Sequence, residues 1–395
     1  MNSIATKPKR IESIDIFRAL IMFLMIFVNH LWSISGIPHW LGHAEFDEDF
    51  LGLSDVVFPA FLFILGMSIP LAIGGRLRRG ESNFTIIQHI VTRSIALLIM
   101  GVFAVNGGSS LHPSVDMDGS IYSLLMLAGF FLIWNLYPTA STKNKNRFFK
   151  ALKVIGVAIL LYLAFIYRDT TGGYIQPRWW GILGLIGWTY LLCATLYLFL
   201  YKYVGYLIAV ALGFILLCVL GTAKLLGPLD GLIISNGCFH AFTMCGLLLT
   251  LFLNSKKYRD ISMERKMTTI AVAGVVMLLA GWITNQWWIV SKLQETAPWL
   301  FYCTGISLLV YLFVYWLVDI KGRATIFNFI KPAGTATLTC YLVPSFYYAI
   351  FRLTGFSITG ALSTGLLGIV KCVLFALLVV LTTSLLGRIG IKLKI

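Results

Sequence analysis

Apolar runs of span length recur from one end of the chain to the other, separated by short polar breaks. Twelve can be counted, at 14–34, 55–75, 85–106, 120–138, 149–167, 180–200, 203–223, 232–254, 267–290, 298–318, 328–351 and 361–387. An α-helix rises about 1.5 Å per residue, so about 20 apolar residues cross a bilayer core of about 30 Å. The pattern predicts an all-α polytopic membrane protein with about twelve transmembrane helices. The break between the sixth and seventh runs is only Tyr201-Lys202-Tyr203. The eleventh run contains KPAGTATLTCYLVP, and Pro332, Gly334 and Pro344 predict a broken or kinked helix. Freed backbone groups in such a helix need neighbouring protein or water.

Composition agrees with the pattern. Of 395 residues, 58% are hydrophobic and 12% charged, where soluble domains have about a quarter charged. A net charge of +15 could suggest nucleic acid, but the cations fall in alternate short loops. These hold Lys7, Lys9 and Arg10; Arg76, Arg78 and Arg79; Lys143, Lys145 and Arg147; Lys256, Lys257, Arg259, Arg265 and Lys266; Lys321 and Arg323; and Arg388, Lys392 and Lys394. Cytoplasmic loops carry the Lys and Arg, which predicts both termini inside and Gly36–Phe50 outside. The first run follows basic residues as a signal peptide would, but its length and its Asp15 and Arg18 predict a retained helix. Seven cysteines inside apolar runs, without a CxxC pair, read as packing residues, and no metal site is expected. No loop is long enough for a separate domain, so residues 1–395 are expected to form one transmembrane unit.

Ionisable groups inside spans are expensive and are candidates for function. Asp15 and Arg18 share a face of the first helix, either as a functional pair or as an interfacial ion pair with Arg18 snorkelling inward. Asn29 and His30 end that helix, His39 and His43 follow in GIPHWLGHAEFDEDF, and Asp55 opens the second helix. An imidazole can accept a proton from an attacking amine or hydroxyl, an amide can orient a carbonyl, and a carboxylate can fix the tautomer. Together they would make a minimal acyl-transfer set; an external loop with incidental histidines is the plainer reading. His89 and Arg93, four apart on the third helix, could hold a phosphate near the inner face. His240 lies mid-span, either lumen-facing or a satisfied core histidine. Asn285, Gln286, Trp287 and Trp288 resemble an outer interfacial belt, and His112 has no assignment.

The ordered set RIESIDIFRALIMFLMIFVNH, HWLGHA, LSDVVFPAFLFILGMSIPLA, RLRRG and TRSIALLIMG resembles the transmembrane acetyltransferases related to heparan-α-glucosaminide N-acetyltransferase, particularly their bacterial homologues. The likeness is dense over 10–105 and thinner in DGLIISNGCFHAFTMCGLL, YLFVYWLVDIKG and PAGTATLTCYLVP. It implies a ten-helix acyltransferase core, with two extra helices near 180–223 that shape either an acceptor site or a homodimer contact. It also implies acetyl-CoA used from the cytosol and acetyl passed to an amino sugar, such as glucosamine or a glycan end, on the far side of a bacterial inner membrane. By motif the catalytic pair falls on His43 and Asn29, with Asp55 in support and His39 as rival to His43. The cofactor's phosphates would be drawn to Arg18, Arg76, Arg78, Arg79 and Arg93, and the acceptor to His39, His30 and His240. The acidic residues Asp47–Asp49 would favour a cationic acceptor, or simply solvate the loop. Partners are then membrane lipid, acetyl-CoA and the acceptor, with no nucleic acid. Two other readings stand beside this one. A secondary transporter of a small polar or sugar-like solute fits twelve helices and a broken eleventh, and an accessory subunit of an envelope enzyme would tolerate loss of Asn29 and His43.

Overall fold

The computed structural model describes residues 12–108, 111–138, 142–229, 234–254 and 260–395. Lys7, Lys9, Arg10, Lys256, Lys257 and Arg259 lie outside the described residues. Thirteen α-helices follow one another among the described residues: α1 Glu12–His30, α2 Leu53–Arg78, α3 Asn83–Val105, α4 Gly119–Trp134, α5 Lys143–Ile166, α6 Gly181–Leu200, α7 Val204–Thr222, α8 Cys238–Asn254, α9 Met263–Thr284, α10 Ala297–Tyr315, α11 Lys331–Thr335, α12 Thr337–Thr354 and α13 Gly365–Arg388. Two isolated bridges, Ser35 with Thr364 and Asn135 with Leu393, are the only β pairing among these residues. Each of the twelve apolar runs becomes a helix, and the eleventh is split. Among the described residues, ten helices are long and apolar enough to cross a membrane. At 16 residues α4 is shorter, and α12 mixes Thr, Ser, Tyr and Arg352 into its apolar run. The fold is that of a polytopic helical membrane protein.

Local chemistry sets the helix ends. Ser82, Asp118, Thr142 and Ser262 accept backbone N–H bonds at the starts of α3, α4, α5 and α9. Pro332 sits in the first turn of α11, and Ala336, at φ −129° and ψ 47°, separates it from α12. Gly334 lets this short helix lie on α1, since a Cβ there would stand 2.6 Å from the Asp15 carbonyl oxygen.

The connections sort to two ends. At one end Ser35 pairs with the α12–α13 connection, through Ser35 N–H to the Ser363 carbonyl at 3.0 Å. There too the amide of Asn106 donates to the Gln176 carbonyl at 2.6 Å, and Ala297 N–H donates to Thr222 Oγ1 at 2.8 Å. At the other end Ser13 N–H meets Asp319 at 3.3 Å, and the C-terminal Lys394 N–H bonds the Trp134 carbonyl at 3.0 Å. The loops that alternate in charge thus alternate in position.

Helix α1 packs among α2, α10, α11, α12 and α13 and buries Phe17 and Met22 completely. Helices α2 and α8 meet backbone to backbone: a Cβ on Gly66 would stand 1.8 Å from the Thr243 carbonyl oxygen, and one on Gly246 1.9 Å from that of Phe63. Thr243 and Thr250 hydroxyls donate across this seam to the carbonyls of Leu62 and Met67, at 3.2 and 3.0 Å. Small residues that admit close backbone approach are what membrane helices use in place of a hydrophobic drive. A similar seam joins α3 to α6 through Gly101 and Gly184.

Candidate active site

The loop between α1 and α2 is pinched at its neck. A Cβ on Gly52 would stand 2.1 Å from the Gly42 carbonyl oxygen, so only glycine allows the two strands of the loop to touch. Ser54 Oγ donates to the Leu41 carbonyl at 2.6 Å. This closure carries His43 onto Asp55, in the first turn of α2.

Asp55 is 2% exposed and fully engaged. Its Oδ1 lies 2.6 Å from His43 Nδ1, and its Oδ2 accepts the Ala44 N–H at 2.9 Å. A buried carboxylate on Nδ1 holds the proton there and leaves Nε2 with its lone pair, on a side chain that is half exposed. Lys292 Nζ stands 3.7 Å from Asp55 Oδ1 and 3.3 Å from His43 Nδ1. An ammonium has no acceptor, so it serves the carboxylate as a cation beside the ring. Burial pushes the Lys292 ammonium below its ordinary range, and Asp55 opposes that push. Pro59 contributes at a distance. It has no N–H for the carbonyl four residues back, which is that of Asp55. The indole of the fully buried Trp299 donates to that carbonyl instead, at 3.1 Å, and ties α2 to α10.

Most of the loop's acids are spent on docking. Asp49 accepts the Val290 N–H at 2.7 Å and the Asn285 amide at 3.0 Å, and Asp47 accepts from Gln294 at 3.4 Å. His39 turns to these acids, with Nε2 3.1 Å from Glu48 and its ring stacked on Phe50 at 4.2 Å. The loop between α9 and α10 also half-buries Glu295, whose carboxyl desolvation pushes up to about 7.

Three cavities run along α1. The first, about 420 Å³, is lined by Arg18, Ser68, Arg93, Leu183, Tyr341 and Lys394, among others. Arg18 is held by Asp15 at 3.0 Å and Ser68 Oγ at 2.8 Å, and the Arg93 guanidinium lies 4.5 Å over the Tyr190 ring. The second, about 240 Å³, is lined by Asn29, Ser123, Ser345, Tyr348 and Arg352. Met25 and Tyr341 line both, so the two are contiguous. Along α1, Arg18 and Asn29 are roughly 16 Å apart. The third, about 1500 Å³, opens between α12 and α13.

The remaining candidates fall elsewhere. His30 lies at the third cavity, with Nδ1 3.0 Å from Tyr348 Oη and its ring 3.9 Å from that of Phe375. Arg76 and Arg79 close on Glu81, each at 2.7 Å, and hold that carboxyl below its usual range. Arg78 shares the last turn of α2, and none of these three lines the cavities described. His89 is exposed on α3. His240 is 2% exposed and stacked on Phe214 at 5.0 Å. No hydrogen bond joins Asn29 to His43 among the described residues. Lys292, Ser68, Tyr341 and Trp299 were not singled out by sequence reasoning. Only Lys292 had a signal, as the sole cation of its loop.

The profile of a family described as a domain of unknown function (DUF5009) matches residues 10–224, so the chain belongs to that family. The match runs through both α6 and α7. The chain is also a partial homologue of heparan-alpha-glucosaminide N-acetyltransferase. It is 38% identical to the Homo sapiens protein over 107 residues, 27% of this chain and 15% of the relative. It is 30% identical to the Mus musculus protein over 191 residues, 46% of this chain and 25% of the relative. The matched segments thus span a quarter or less of these relatives' length.

Proposed function

We propose that the chain is an integral-membrane acetyltransferase that takes acetyl from acetyl-CoA on the cytoplasmic side and passes it to an amino sugar or other glycan acceptor on the far side. The observation that carries this reading is the His43–Asp55 bond, in which a buried carboxylate fixes the tautomer of a half-exposed histidine. The similarity to heparan-alpha-glucosaminide N-acetyltransferase supports the reaction class. With both termini in the cytoplasm of a bacterial inner membrane, the basic mouth at Arg18, Arg93 and Lys394 faces the donor. Its phosphates lie among those cations, with Arg76, Arg78 and Arg79 adding to the attraction from the rim. Its extended arm follows the contiguous cavities towards Asn29, whose amide polarises the thioester carbonyl.

The acceptor nitrogen attacks that carbonyl carbon; the C–N bond forms and the C–S bond breaks. His43 Nε2 takes the amine proton and returns it to the leaving thiolate. In a two-step variant Nε2 itself attacks and carries the acetyl group before the acceptor arrives. Lys292 and Asp55 position the ring in either case.

The test uses the purified chain with radiolabelled acetyl-CoA and glucosamine, comparing wild type with His43→Ala and Asn29→Ala. Transfer lost in both variants, by about 10²-fold or more, is the expected result. Acid-labile label on wild type without acceptor, absent from His43→Ala, selects the two-step route. Transfer unchanged in both variants overturns the reading.

A further inference from the structure

The third cavity lies at the same end as His43, between α12 and α13, under the connection 355–364. That connection is pinned to the end of α1 by Ser35. The cavity's lining mixes two chemistries. Along α13, Leu367, Leu374 and Leu378 line it and are 51%, 60% and 41% exposed. On a membrane-spanning helix, leucines exposed to that degree face lipid, so the cleft opens sideways into the bilayer. Two cations share the lining, Arg352 from the last turn of α12 and Lys371 from α13, on the same face as Leu367 and Leu374. Lys371 gives one N–H to the Ser33 carbonyl at 3.2 Å and has two to spare. Among the described residues neither cation forms an ion pair. Asp118, the carboxylate that feels Arg352, is engaged in capping α4 through the Ser120 and Ile121 N–H groups.

Two unpaired cations beside a lipid-open apolar wall call for an anion attached to a hydrocarbon chain. The cleft also adjoins the cavity that holds Asn29, because Tyr348 and Arg352 line both. We infer that this cleft is the acceptor site, and that it takes a saccharide linked through a phosphate to a membrane lipid. The phosphate sits between Arg352 and Lys371, the hydrocarbon chain lies along α13, and the sugar reaches past Tyr348 towards Asn29. This inference rests on the acetyltransferase reading and narrows its acceptor.

The probe is farnesyl-phosphoryl-glucosamine with a photoreactive group in its chain, applied to the full chain in detergent. Free glucosamine serves as the second acceptor and excess phosphatidylglycerol as competitor. Covalent label is expected on peptides of α12 and α13, and phosphatidylglycerol should not displace it. Acetyl transfer to the probe should exceed transfer to glucosamine by about tenfold or more in kcat/KM. Lys371→Ala and Leu374→Trp should remove that advantage and leave transfer to free glucosamine unchanged. Label elsewhere, label displaced equally by phosphatidylglycerol, or equal kcat/KM for the two acceptors overturns the inference while the acetyltransferase stands. Label on α12 and α13 with transfer to neither acceptor does the reverse: the lipid-saccharide site stands and the acetyltransferase reading falls.

Discussion

His43 and His240 are both histidines, and their settings are opposite. His43 is half exposed, with Nδ1 tied to a buried carboxylate and Nε2 open. His240 is buried, stacked on Phe214, and its Nδ1 has no hydrogen-bond partner among the described residues. The first arrangement equips a ring to take a proton, and the second leaves it nothing to exchange protons with. Burial alone does not make a histidine reactive; a carboxylate on one nitrogen and access to the other do.

The sharpest way to break this contrast is Asp55→Asn. The amide keeps the shape but presents the wrong partner to Nδ1, so acetyl transfer should fall on the order of 10³-fold. Stability should drop by about 1–3 kcal/mol, since the partly buried Lys292 loses its counter-charge. Near-normal turnover in the folded variant would detach His43 from the chemistry. Lys292→Met tests the other side of the carboxylate. Transfer should fall about tenfold, and Lys292→Arg should recover part of it, because a cation rather than a shape is needed.

Glu295 gives a pH signature to the same loop. Its carboxyl is raised to about 7 from an ordinary 4.5 by desolvation. Between those values the unfolded chain has already released the proton that the folded chain retains, so stability falls as pH rises through that window and then levels off. Glu295→Gln should flatten this slope and raise the thermal midpoint at pH 8 by about 2–4 °C. The smallest effect belongs to His240→Phe. An apolar ring replaces one with an unpaired nitrogen, so stability should change by less than about 1 kcal/mol and transfer by less than about twofold. A large loss of transfer there would erase the contrast between the two histidines.

Hydropathy made the helices legible, down to the split of the eleventh run at KPAG, because period and length are written in contiguous residues. The site was legible in part. His43 and Asp55, which the structure joins, lie close in sequence and carry recognisable chemistry, whereas Asn29 from the same stretch lines a separate cavity. Lys292 arrives from 249 positions beyond His43, and being the sole cation of its loop does not say which carboxylate it meets. The acidic run shows the converse. Composition offers four carboxylates to a cationic ligand, but Asp49 is already bonded to Val290 and Asn285, and Glu48 to His39. Which acids are spent is a matter of tertiary contact.

The glycine seam between α2 and α8 bears on how a path could open. Two helices welded along their backbones, with hydroxyls bridging the join, have no slack for one to slide on the other. Helix α2 carries Asp55, so the proposed catalytic side belongs to the stationary part of the molecule. Any gate then falls to the opposite wall, where α11 and α12 already part at Ala336. A rocking exchange of two halves, as a solute carrier needs, would have to shear that weld.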